Sequence, residues 1–86
     1  MKILSVVKPE VEPTKIVNYF GEQFTVPEWV KYLAMDKCGN LFGYESKPFL
    51  AEDVNMYLIN GYLNREGKYI ARIVYDGDWK ESLVEV

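Results

Sequence analysis

Residues Val26–Pro48 read VPEWVKYLAMDKCGNLFGYESKP, two apolar, aromatic-rich runs joined by Asp36-Lys37-Cys38-Gly39-Asn40. The link has the form of a three-residue hairpin loop, a type I turn followed by Gly39 in the left-handed conformation that only glycine adopts without a Cβ penalty. With Asp36 opposite Asn40, the register follows: Met35 faces Leu41, Ala34 faces Phe42, Leu33 faces Gly43, Tyr32 faces Tyr44 and Lys31 faces Glu45. Val30, Tyr32, Ala34, Phe42 and Tyr44 then share one face, and Trp29, Leu33, Met35 and Leu41 the other. Both faces are largely apolar, the pattern of a central hairpin or of one with a recognition face.

Outward from this hairpin, the chain offers further strand segments. Asn64-Arg65-Glu66-Gly67-Lys68 repeats the turn pattern, and a second hairpin is expected between Met56–Leu63 and Tyr69–Tyr75, pairing Leu63 with Tyr69, Gly61 with Ala71, Ile59 with Ile73 and Tyr57 with Tyr75. Pro48 followed by Leu50, Val54, Tyr57 and Leu58 supports a competing reading, a short helix near residues 49–60 closed by Gly61. The continuous apolar run Met56–Ile59 favours a turn or one helical turn over 49–55 followed by a strand. Ile3–Val7 is a strand candidate stopped by Lys8-Pro9, and Val11-Glu12-Pro13 reads as an extended linker. Ile16–Val26 is one strand region bent at Gly21, with Pro27 limiting its end. The C-terminal stretch begins with an Asp76-Gly77-Asp78 turn and ends as a strand. The fold class expected is mainly β, a small antiparallel sheet of consecutive hairpins, with the α+β variant as the alternative.

The chain of 86 residues is expected to form a single compact domain over 1–86, burying about 60–65% of its unfolded surface. It is 49% hydrophobic and 27% charged, a globular composition. Its seven Tyr, four Phe and two Trp suit a thin sheet with both faces covered. Thirteen acidic against ten basic residues give a net charge of −3, which disfavours general attraction to nucleic acid or anionic membrane. The longest apolar run falls well short of the roughly 20 residues of a membrane-spanning helix, and Met1–Val7 meets Lys8-Pro9-Glu10 too soon for a signal peptide. With Cys38 the sole cysteine, in an exposed turn, a cytoplasmic, reducing location is expected.

The sequence has no histidine, so neither Ser82 nor Cys38 has an imidazole base to activate it. Asp36 and Asn40 flank Gly39 as in a calcium loop, yet the glycine comes too early for that pattern, and zinc has no ligand set. The carboxylates Glu22, Glu28, Glu45, Glu52, Asp53, Asp76 and Asp78 lie near loops and strand ends, where solvation is cheap, rather than in the buried setting that acid–base work needs. A non-enzyme without cofactor or metal is expected. Trp29 and Trp79 each follow an acidic residue at a strand end, positions that suit capping of a small core or contact with a partner. Trp29, Tyr32, Tyr44 and Trp79 are the candidate partner-binding residues.

The order Val26-Pro27-x-Trp29-Val30-x-Tyr32-x-Ala34-x-Asp36-x-x-Gly39, then Tyr44 and Pro48, then Gly77-Asp78-Trp79-Lys80-Glu81-Ser82-Leu83, resembles a group of small accessory proteins of tailed bacteriophages. The likeness covers about two thirds of the chain, from Val26 on. It implies a small β-rich protein made in the host bacterial cytoplasm that binds and inhibits or redirects a host protein, including defence enzymes, and it brings no catalytic residues. The alternatives are a single-stranded nucleic-acid binder using Lys31, Lys37, Lys47, Arg65, Lys68 and Arg72 around a Tyr-bearing sheet, a DNA mimic, and a minor virion or assembly component that self-associates through a sheet edge.

Overall fold

A computed structural model describes residues 1–8, 12–59 and 67–86. Its strands are β1 (Lys2–Val6), β2 (Thr14–Tyr19), β3 (Glu22–Pro27), β4 (Tyr32–Met35), β5 (Asn40–Tyr44), β6 (Phe49–Ala51), β7 (Met56–Leu58), β8 (Lys68–Val74) and β9 (Val84–Glu85), with 3₁₀ turns at Glu52–Val54 and Trp79–Glu81. The protein is mainly β. Consecutive hairpins β2–β3, β4–β5 and β6–β7 are its building units, and β4–β5 lies within a five-stranded antiparallel sheet of order β1-β8-β5-β4-β9.

The β4–β5 register is the expected one, Tyr32 with Tyr44, Leu33 with Gly43, Ala34 with Phe42 and Met35 with Leu41. Its turn is held by the Asp36 carboxylate, which accepts the Cys38 amide at 2.9 Å, the Asn40 amide at 3.0 Å and the Asn40 side-chain amide at 3.1 Å. Asp36 and Asn40 are thus accounted for by turn chemistry, and Cys38 is exposed beside them. Gly39 has φ 88°, and a Cβ there would run into the Ile73 carbonyl oxygen of β8. This glycine is needed both for its conformation and for close approach.

Several expectations are corrected. Residues 16–26 form a hairpin rather than one bent strand, with Thr14 paired to Pro27 and Tyr19 to Glu22. Its tip is Phe20-Gly21, with φ 49° and 83°, and positive φ at both central residues matches the right-handed twist of the strands. Val30 packs with Leu33, Met35 and Leu41 rather than with Tyr32 and Ala34, because it closes a turn onto the Pro27 carbonyl before β4 begins. The β4–β5 ladder ends at Tyr32 and Tyr44, where the Lys31 amide bonds the Tyr44 carbonyl at 2.8 Å.

The expected β7–β8 hairpin does not form. Phe49 pairs with Leu58, Leu50 with Tyr57 and Ala51 with Met56, while Ile73 pairs with Ile3. Strand β8 has β5 on one side and β1 on the other, so neither hydrogen-bonding edge is left for β7. The expected pairs of Gly61 and Leu63 and the turn residues Asn64, Arg65 and Glu66 lie outside the described residues. The segment near 49–60 holds a three-residue 3₁₀ turn in place of the alternative helix, closed by Asn55 in the left-handed conformation.

Both faces of the central sheet are covered. On one, Val17, Tyr19, Phe24 and Val26 of the β2–β3 hairpin pack onto Leu33, Met35, Leu41, Ile70, Ala71 and Ile73. On the other, Tyr57 of β7 packs onto Ala34 and Tyr44, with Tyr32, Phe42, Trp79 and Leu83 around them. The β5–β8 pairing slips between Leu41–Ala71 and Phe42–Tyr69, and this bulge is why the neighbours Ile70 and Ala71 are both buried in the larger cluster.

Candidate protein-interaction site

The four sequence-predicted aromatics do not form one surface. Trp29 lies in the turn after β3, half-buried against the larger cluster, and its indole N–H donates to Glu12 Oε2 at 2.9 Å. Tyr32 and Tyr44 lie on the opposite face with the smaller cluster. Tyr44 is only 5% exposed, which makes it a core residue. Its hydroxyl points to the Tyr57 carbonyl at 3.5 Å, and burial, helped by the Asp36 charge, pushes its pKa up to about 12. Trp79 touches both clusters and stands edge-on to the Tyr57 ring at 6.1 Å. It also lines a cleft of about 260 Å³ shared with Met35, Cys38 and Tyr75.

The closing Asp78-Trp79-Lys80-Glu81-Ser82 element works as an internal clamp. Asp78 caps the 3₁₀ turn by accepting the Lys80 amide at 3.0 Å. Ser82 is fully buried, its hydroxyl donating to the Trp79 carbonyl at 2.6 Å and accepting the Met35 amide at 3.0 Å. The Tyr57 hydroxyl donates to the Lys80 carbonyl at 2.7 Å, tying the β6–β7 hairpin to the same element. Burial raises the pKa of Tyr19 and Tyr57 as well, because a phenolate there would lose its hydration. Among the described residues no group of His, Cys, Asp or Glu side chains is arranged to hold a metal ion, and no helix is long and apolar enough to cross a membrane.

Accessible apolar surface lies elsewhere. Strand β1 is an edge of the five-stranded sheet, and Leu4, Val6 and Val7 are 50%, 49% and 41% exposed. Beside it, between Val6–Lys8 and the Thr14 and Gln23–Thr25 part of the β2–β3 hairpin, runs an open cleft of about 350 Å³ with Phe24 in its wall. A second apolar patch is the Phe49–Leu58 cross-strand pair of the β6–β7 hairpin, with Leu50 and Val54 also exposed. A third is Phe20 at the β2–β3 tip, 48% exposed, its ring against Tyr19 at 4.7 Å and Tyr75 at 5.4 Å.

The sequence reading marked Ile3–Val7 as a strand but could not place it at an edge. Pro9, two residues further on, marks where that strand stops but not whether it lies at an edge. Of the three patches, β1 alone combines apolar side chains with the main-chain groups of a sheet edge over a strand of five residues. No protein-family model matches the chain, and no curated protein or solved structure is detectably similar to it.

Proposed function

We propose that this chain is a small non-catalytic binding factor that captures a host bacterial protein stoichiometrically and so inhibits or redirects it, acting in the host cytoplasm. The resemblance to tailed-phage accessory proteins supplies the setting. The observation that carries the reading is the exposed apolar edge, Leu4 and Val6 on β1 with Val7 just after it, beside the cleft of about 350 Å³. Isolated apolar side chains on a surface need no explanation, but an edge strand that keeps three together is a hazard in a monomer and a resource for a binder. Trp29 and Trp79, half-buried against the core, then act as supports of the scaffold rather than as the contact itself.

The test is capture from bacterial lysate with the tagged full chain, alongside Val6→Asp, whose folding is checked by circular dichroism. The expected result is one host protein recovered in stoichiometric amount by the wild type and lost with the folded variant. Equal recovery by both proteins, or no stoichiometric partner at all, overturns the reading.

A further inference from the structure

The edge on which this reading rests has a chemical pattern of its own. The Val7 amide bonds the Ile70 carbonyl at 2.9 Å. The alternation of an antiparallel ladder then turns the N–H and C=O of Val6 away from β8. No described residue bonds them from the outer side. The first half of β1 is guarded, because its register slips between Ile3–Ile73 and Ser5–Arg72, leaving Leu4 as a bulge. Among the described residues, no strand pairs with the outer side of Ser5–Lys8.

The two faces of this open half differ. Val6 pairs with Ala71 of the larger cluster, so it faces the β2–β3 hairpin and the cleft, where Phe24 offers apolar wall. On the reverse face Ser5 lies beside Arg72 and Lys2 beside Val74. Arg72 is exposed on this face, with the short Ser5 between it and the edge. Lys2, Lys8 and Arg72 are all exposed and make no ion pair with a described residue. In a chain of net charge −3, the described residues of this edge are locally cationic.

We propose that the occupant of the β1 edge is an extended peptide segment of alternating apolar and acidic residues, added as a further strand alongside Ser5–Lys8. Its apolar side chains enter the cleft beside Val6 and Phe24, and its carboxylates meet Arg72 on the reverse face, with Lys8 at the end of the cleft. Strand addition satisfies the outward main-chain groups of Val6, and the period of two matches the difference between the faces.

Two synthetic peptides of about eight residues, within the usual strand length, test this against the full chain by NMR. One alternates Val with Glu and the other Val with Lys. The Val–Glu peptide is expected to slow amide exchange at Val6 and to shift resonances over Ser5–Lys8, binding at least about tenfold more tightly than the Val–Lys peptide, a difference of about 1.4 kcal/mol. The double variant Lys8→Gln, Arg72→Gln, both sites exposed, should bring the two peptides close to equal affinity. Equal binding by the wild type, or protection away from β1, overturns the inference. So does protection of Val6 that rises with protein concentration in the absence of peptide, since the occupant would then be a second copy of the chain. If a lysate partner is lost with Val6→Asp while the Val–Glu peptide leaves Val6 unprotected, strand addition fails and protein binding stands. If the peptide binds and no partner is captured, the binding-factor reading fails and the edge preference stands.

Discussion

The Tyr19 hydroxyl donates a 2.7 Å hydrogen bond to the main-chain carbonyl of Ser82, across 63 residues of sequence and inside the protein. Ser82 in turn accepts the Met35 amide through its hydroxyl at 3.0 Å. One buried residue of the C-terminal element therefore joins the β2–β3 hairpin to β4 of the central sheet. Buried polar atoms of this kind stabilise modestly when paired and cost much more when a partner is removed.

Ser82→Ala should accordingly destabilise the protein by about 2 kcal/mol, because the buried Met35 amide loses its acceptor. Tyr19→Phe removes a donor and leaves a carbonyl unpaired, with an expected loss of about 1–2 kcal/mol. Urea unfolding measures both. Lower midpoints with an unchanged slope are expected; a Ser82→Ala midpoint equal to wild type would show that the bond to Met35 contributes nothing net.

Stability should fall at alkaline pH through the buried phenols. Tyr44 is raised from 10.0 to about 12 by burial, and Tyr19 and Tyr57 are raised for the same reason. Raised folded-state values mean that the contribution is fully present below the unfolded value and is lost as pH rises through the folded one. The unfolding midpoint should therefore be flat up to about pH 10 and fall from there through about pH 12, the window set by Tyr44. Tyr44→Phe should make that fall shallower. A midpoint independent of pH across this window would mean that the phenols ionise without loss of packing.

Two glycines in left-handed turns separate backbone strain from crowding. Gly21, at φ 83°, has open space where a Cβ would stand, whereas the same atom at Gly39, φ 88°, meets the Ile73 carbonyl oxygen. Gly21→Ala should cost about 1–2 kcal/mol, the penalty of the left-handed conformation alone. Gly39→Ala should cost clearly more, since β8 must move or its bond from the Ile73 amide to the Gly39 carbonyl, 2.9 Å, must lengthen. Thermal unfolding of the two variants side by side gives the comparison, and equal losses would contradict the close approach.

The sequence by itself determined what neighbouring residues decide. The Asp36–Asn40 loop, with its carboxylate acceptors and Gly39, set the β4–β5 register pair by pair, and the apolar character of both faces announced a sheet covered on two sides. The strand near the N-terminus, and the Glu52–Val54 turn with the strand after it, were legible for the same local reasons, but Phe49–Ala51, expected as part of that turn, is strand β6. The Phe20-Gly21 turn was hidden, because Phe is a poor signal for positive φ, and its ring is held there by contacts with Tyr19 and Tyr75 that only the fold supplies. Tertiary structure alone decided the neighbours of β8: the second turn motif suggested β7, but β1 and β5 occupy both edges, and β7 closes with β6 instead. It also separated Trp29 from Tyr32 and Tyr44, and it exposed Val6 and Val7 at an edge. Strand pairing exchanges local turn preference against burial over long sequence separations, and no short window of sequence contains both terms.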